Sequence, residues 1–547
     1  MALVSIQASP GVNVREIDFS QYVSKISGTI LGNVGAAEWG PIGVRQFITS
    51  EVQQVSTFGR PMAPPQGSVS DLYHCGGHAQ VLFLKEGNQS WFVRIANPAT
   101  AAKATVTLST SGAVACLVVT AYYEGTRGNR MRVRIGPADN GNANHFKLEV
   151  LLDELGLNNY RVVQRWGSVS NSAADAAAYA PTSNLPQTFI PISVVNAQSR
   201  YIQLSKPGSP ADPARPANTV LTSLPFGTAL TGGNDGTTGI TDAMVIGDAS
   251  NPVGLYQLSD PSQVDINVLI APGIQGTNAA VITAGVALCE SRADCVFVAD
   301  PPMGLPVTSV IDFTNGTGAY SGQAAFNSSW GCISYPWASY YSTYVGAQVF
   351  APPSAWTALT FAKTDRVAGP QYAPMGLNRG HLSLATSLEI NTTKGERELL
   401  YGSNNIVNPI VNMPPYGITV WGQRTMQRVD SALDRLNVRR MLIALEKTIA
   451  TSVLWLVGEP GDPITFRQFV NLVEPALRQM KAARGVRGFQ VACNESTNPD
   501  EILDQNTIRG IIIVKPTKAA EVIQVDFVIT NQGADFNETL KSVVNNV

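Results

Sequence analysis

Charge is scarce in this chain. Only 14% of its 547 residues are Asp, Glu, Lys or Arg, where about 25% is usual for soluble domains. The 38 basic residues nearly cancel the 40 acidic ones, leaving a net charge of -2. That balance gives no field to gather nucleic acid or an anionic membrane surface, so direct binding to either is not expected. Histidine is scarcer, with four residues. His74 and His78 flank Cys75 at metal-ligand spacing, but Gly76 and Gly77 weaken the helix that would align them, and no third ligand stands nearby. His145 and His381 stand alone, no serine sits in a G-x-S-x-G elbow, and a hydrolase reading lacks its motif. No Gly-Lys dipeptide occurs, which removes a Walker-type loop and leaves Gly232, Gly233 and Gly236 as a turn at a domain boundary. Neither enzymatic activity nor a metal or cofactor is expected. No run approaches the roughly 20 apolar residues of a membrane span, and no basic, apolar leader precedes Arg15. The six cysteines lack a framework spacing and read as reduced thiols of a protein assembled in a cytoplasm, with Cys289 and Cys295 as buried small hydrophobes.

What is present is length and alternating pattern. The chain is several times the common domain size of roughly 100 to 150 residues, so two to four domains are expected. Residues 1–21 carry no helical stripe; Pro10 and Gly11 precede the alternating Val12, Asn13, Val14, Arg15, which reads as an extended arm. An α/β pattern begins with the apolar run Ile26 to Ala37, a helix near Ala79 to Leu84 and a strand at Trp91 to Ile95. From about residue 98 to 235 the composition turns to Ala, Ser, Thr, Asn and Pro, with strand runs at Met131 to Ile135 and Phe146 to Leu152. The α/β pattern then resumes with strands at Val264 to Ile270 and Cys295 to Ala299 around a helix near Asn278 to Glu290. The expected fold is mixed α/β and multidomain: a core domain split into 22–97 and 236–400, an inserted β-rich domain at 98–235, and an α+β domain at 401–547.

In that last part, Val438, Met441, Leu442, Leu445, Ile449, Val453 and Leu456 line one side of a helix. A second stripe, from Phe466 to Met480, is expected to kink or restart at Pro475. Two strand candidates follow, Gly510 to Val514 and Glu521 to Thr530, the latter with Ile523, Val525, Phe527 and Ile529 on one face. Between Thr465 and Gln490 five basic residues face one acid; of these Arg478, Lys481, Arg484 and Arg487 form either a contact for an acidic partner or a solvated helix face.

Two strings are specific. Ile418 to Thr425 (ITVWGQRT) followed by Leu436 to Met441 (LNVRRM) resembles the signature of the phage tail sheath family, carried by Trp421, Gly422, Arg424, Thr425, Asn437, Val438, Arg439 and Arg440. Leu230 to Gly236, Ala271 to Gly273, Val298 to Pro302 and Asp365 to Gly369 are similar to the family's middle domain; Pro10 to Val12 with Glu16, and Gly40, Pro41, Phe58 and Gly59, are similar to its start. The departures are small: Gly458 to Gly461 stands where members often carry Phe-Glu-Pro-Asn, and Gln423 is often Ala.

The resemblance implies a structural subunit that stacks as hexameric rings around an inner tail tube and contracts to drive that tube through a host envelope for genome ejection. It implies partners in the tube, the baseplate and the terminator or neck proteins, and a place in the virion tail after assembly in the bacterial host. A phage-derived bacteriocin or another contractile injection system would share the same sequence features. It also implies that terminal arms donate strands to a neighbour. On that reading Val12 and Val14 point into the neighbour, while Glu521 to Thr530 either does the same or pairs with Gly510 to Val514 of its own chain.

Overall fold

The computed structural model describes residues 28–64, 74–179, 188–208, 214–219, 227–273, 279–402 and 405–521. Its centre is an eight-stranded sheet. The strands β1 (Ile30–Gly35), β2 (Arg45–Ile48) and β3 (Gln89–Arg94) come before the β-rich segment. After it come β12 (Val268–Ile270), β13 (Val296–Ala299), β14 (Gly331–Tyr335), β18 (Val407–Met413) and β19 (Gly417–Val420). Their order is β19-β18-β14-β13-β12-β1-β3-β2. Every pair from β3 to β18 is parallel, and the two edge pairs, β2 with β3 and β18 with β19, are antiparallel. Parallel strands need both faces covered, which is why Val268, Leu269 and Ile270 are consecutive apolar residues and all fully buried.

Helices supply the two covers. On one face Ile30, Val34, Leu269, Phe297 and Ile333 pack against α3 (Ala279–Arg292) and α4 (Val307–Asn315). On the other, Leu31, Val268, Ile270, Val296 and Val298 meet α2 (Cys75–Phe83) and α5 (Pro353–Val367). The helix α1 (Glu51–Phe58) closes the β2 edge, with Phe58 against Phe92. A small antiparallel sheet, β15 (Ala338–Ser342) between β16 (Ala347–Ala351) and β17 (Ala385–Leu388), lies beside α5.

Between β3 and β12 the chain builds two further sheets around one core that includes Trp39, Phe146 and Trp166. One holds β4 (Thr105–Ser109), β5 (Ala115–Ala121) and β10 (Ile202–Ser205). The other holds β6 (Met131–Pro137), β7 (Phe146–Leu152), β8 (Arg161–Ser170), β9 (Ile190–Pro191) and β11 (Thr228–Ala229). The β7 run starts and ends where its sequence pattern placed it. Past β19 come α6 (Leu436–Val453), α7 (Pro463–Ala482) and a two-stranded ribbon, β20 (Val486–Ala492) with β21 (Ile511–Pro516).

Three details differ from the sequence pattern. The central sheet continues beyond residue 401 through β18 and β19. The helix α7 runs unbroken through Pro475. The strand near Gly510 pairs with β20, a strand the sequence pattern did not place. The arm positions Val12 and Val14, and Ile523, Val525, Phe527 and Ile529 with them, lie outside the described residues.

Candidate assembly interface

The two signature strings are folded onto each other. Leu436 N donates to Gln423 O at 2.8 Å and Thr425 N to Asp434 O at 3.1 Å, while Thr425 Oγ1 donates to Leu433 O at 2.9 Å. Gly422 is required by space. A Cβ there would lie 2.7 Å from Asn408 Oδ1 and 2.9 Å from its Cα. That approach lets the buried Asn408 side chain accept from Arg424 N at 2.6 Å and donate to Arg424 O at 2.8 Å and Ile333 O at 3.0 Å, so its burial leaves no polar group unmet. Trp421 is fixed by its own N–H, 2.8 Å from Pro409 O.

Each arginine of the signature faces inward. Arg440 pairs with Asp365 at 2.7 Å and lies 4.1 Å from the Phe361 ring centre. Arg439 sits 3.8 Å from the Trp330 ring centre and donates to Ser329 Oγ. Burial holds its guanidinium below the ordinary value. Arg424 stacks at 5.2 Å on Tyr401. Asn437 donates at 3.4 Å to Gln371 O, and Val438 is core. These side chains fix how α6 docks on the sheet. They present no reactive group to solvent.

The ribbon is built differently. One face, Phe489, Val491, Ile512 and Val514, packs on Leu445, Val473 and Leu477 of α6 and α7. The opposite face leaves Ile511 and Ile513 at 38% and 53% exposure. Among the described residues neither strand pairs with a third. Among the described residues, both long edges therefore offer main-chain donors and acceptors. Beside it, Arg478, Lys481, Arg484 and Arg487 are all exposed. Arg478 pairs with Glu474 one turn back at 2.9 Å; among the described residues the other three have no carboxylate partner.

Residues 428–530 match the model of the phage tail sheath C-terminal domain. The tail sheath protein of Vibrio phage KVP40 is 28% identical over 327 residues, 56% of this chain and 47% of that protein. The tail sheath protein of Enterobacteria phage T4 is 28% identical over 293 residues, 51% of this chain and 44% of that protein. Over these spans the chain is similar to contractile tail sheath proteins. It spans about half the length of the curated relatives it matches. The crystal structure of a sheath tail protein from Listeria innocua superposes with a TM-score of 0.56 at 13% identity, covering 91% of this chain and 97% of that one, a likeness of fold.

The two signature strings lie at the seam between the central sheet and α6. The other residues singled out by spacing fall elsewhere. His78 accepts from Tyr340 OH at 2.6 Å and donates to Met62 O at 2.9 Å, so both ring nitrogens are used, and burial depresses its pKa to about 4. Among the described residues no group of three or more His, Cys, Asp or Glu is placed to hold a metal. Cys289 and Cys295 touch at 3.3 Å in the core, and burial raises the Cys289 thiol. No described helix is long and apolar enough to cross a membrane. The glycines 232, 233 and 236 sit where the β-rich segment returns to the core, with Gly233 N accepted by Asn129 Oδ1 at 2.8 Å. Two features escaped the sequence pattern: Glu521 as an interior carboxylate, and β20, whose Gly488 hides its period. The only sequence signal for Glu521 is an acid at the root of an alternating run.

Proposed function

We propose that this chain is the sheath subunit of a contractile tail, a structural protein whose work is polymerisation and rearrangement. The observation that carries the reading is the match of residues 428–530 to the sheath C-terminal domain, together with a ribbon that has two strands among the described residues. Two strands alone are marginal in water. A third and fourth, supplied by terminal segments of neighbouring copies, would complete it. Each added main-chain hydrogen bond contributes about 1 kcal/mol net, and strand addition needs no rigid docking of globular surfaces. Neighbours then stay linked while the lattice rotates.

On this reading residues 1–21 and the run Glu521 to Thr530 are donated arms, with Val12, Val14, Ile523, Val525, Phe527 and Ile529 pointing into the acceptor. Residues 22–97 with 236–400 form the core domain, 98–235 an outward domain, and 401–547 the acceptor domain. The exposed cations Arg478, Lys481, Arg484 and Arg487 face an acidic inner tube. Hexameric rings stack around that tube, baseplate and terminator proteins hold the two ends, and contraction drives the tube through the host envelope.

Negative-stain microscopy of the purified chain tests this directly. Rings or hollow striated tubes are expected as concentration rises. A compact monomer at every concentration would overturn the reading.

A further inference from the structure

Two clusters that look unrelated in sequence meet on one helix. The first is at Glu521, the last described residue. Its Oε1 accepts from Arg435 Nε at 2.7 Å, Gln423 Nε2 at 2.9 Å and Tyr401 OH at 3.0 Å. Gln423 is fully buried, and the paired side chains of Arg435 and Glu521 are only 19% and 17% exposed. Arg435 is the residue before α6, and its Nη1 also pairs with Asp434 at 2.7 Å. Burial works against the charge on Arg435, but the Glu521 carboxylate outweighs it and holds the guanidinium above its ordinary value. Burial, and after it the same carboxylate, raises the Tyr401 phenol, which keeps it a donor.

The second cluster is at the other end of the chain. Thr29, directly before β1, donates its hydroxyl to Asp365 Oδ2, and Arg440 holds that same oxygen at 2.7 Å. Arg440 lies five residues beyond Arg435, a rise of about 7.5 Å along the helix. The roots of both terminal segments are thus tied by buried, charge-assisted bonds to the first two turns of α6, although neither segment adjoins α6 in sequence.

We infer that residues 435–440 are a common anchor for the two terminal segments, so that tension entering one copy of this chain from a neighbour leaves through the other segment across six residues of one helix. The inference rests on the donated-arm reading above. The β-rich segment and most of the central sheet lie outside this path and stay unloaded while the lattice moves. Arg435 and Glu521, with Thr29, Asp365 and Arg440, are positioning residues: they set where the arms leave the body and do not themselves touch the neighbour on this reading.

The test uses tubes assembled from the full-length chain and broken by a fixed shear, with lengths measured by electron microscopy. Glu521→Gln and Thr29→Val keep side-chain shape and are expected to break about tenfold faster, the factor for one lost charge-assisted bond, while the unassembled chain melts within about 2 °C of wild type. Lys447→Gln removes a different pair on the same helix, with Asp265 at 2.7 Å, and is expected to break at the wild-type rate. The anchor is overturned if either end variant breaks at the wild-type rate, or if Lys447→Gln weakens tubes equally. Removing residues 522–547 separates the two readings. Loss of tubes on that removal, with Glu521→Gln tubes as strong as wild type, rejects the anchor alone; tubes that survive the removal intact reject the donated arm and the anchor together.

Discussion

Asp300 sits at the end of β13, fully enclosed, and its two oxygens accept from Ser354 N and Ser354 Oγ, both at 2.6 Å. Ser354 is in the first turn of α5, so the carboxyl caps that helix from another element. Burial nonetheless raises its pKa from 3.8 to about 7. A carboxyl held above its unfolded value binds its proton in the folded chain while the unfolded chain has lost it. Its contribution is therefore full below about pH 3.8 and disappears as pH rises through about 7. The stability of wild type relative to Asp300→Asn should fall across that window, by up to on the order of 4 kcal/mol, and stay flat above it. Urea melts at intervals of one pH unit check this; a gap independent of pH would show that Asp300 does not titrate there. Arg440 invites a second measurement. Breaking a buried pair strands one charge, so Arg440→Met alone should destabilise by about 3 to 5 kcal/mol, and adding Asp365→Leu should recover most of it. None of these environments was legible in sequence: the signature string marked Arg439 and Arg440, but residue type does not say that one would find a carboxylate and the other an indole ring.

Elements were legible where one period dominates. The consecutive apolar residues of β12 and β13, the alternation of β7 and the stripe of α6 each fix a type of element from spacing alone. The strand β18 was not legible, because it reads VNPIVNM: a polar Asn408 and a Pro409 interrupt the apolar run. Their burial makes sense only once the Asn408 amide is seen bonded to main-chain groups of β14 and of residue 424. For α7 the local rule and the tertiary outcome disagree. Pro475 has no N–H for the Asn471 carbonyl, yet Val473, Ala476, Leu477 and Met480 bury one continuous face that spans it. Packing wins, at a cost. Pro475 itself is exposed, so Pro475→Ala should stabilise the unassembled chain by about 1 to 3 kcal/mol, seen as a higher urea midpoint with unchanged slope. The ribbon gives the opposite kind of result. Ile513 is 53% exposed on the face turned away from α6 and α7, so Ile513→Lys should leave the melt within about 0.5 kcal/mol while shortening or abolishing tubes.

At the scale of the molecule, the β-rich segment leaves and rejoins the core at adjacent points. Asn97 N donates to Gly236 O at 2.7 Å, and Asn97 Nδ2 donates to Thr238 O at 2.9 Å. Ala102 and Asn234 exchange both main-chain bonds just outside that closure, each at 3.0 Å. Chain ends so close need almost no linker, so replacing 98–235 by two glycines should preserve the path of the central sheet. Several contacts cross the boundary, among them Arg130 with Glu38 at 2.7 Å and Arg127 Nη1 on Ser56 O at 2.9 Å, and two more dominate what the excision costs. Arg94 is buried with its guanidinium on Gly40 O, Glu124 O and Asp235 O, and burial already lowers its pKa to about 10. Excision leaves it Gly40 O alone, so the guanidinium must find water. Trp39, 2% exposed, belongs to the core of the segment being removed and would be uncovered. The shortened chain with Trp39→Ser is therefore expected to stay soluble and folded, to melt below the full-length protein, and to form tubes of unchanged axial repeat and smaller outer diameter. Static light scattering and electron microscopy read these outcomes. A shortened chain that aggregates even with Trp39→Ser would show that the β-rich segment completes the core domain's fold and is not an attachment to it.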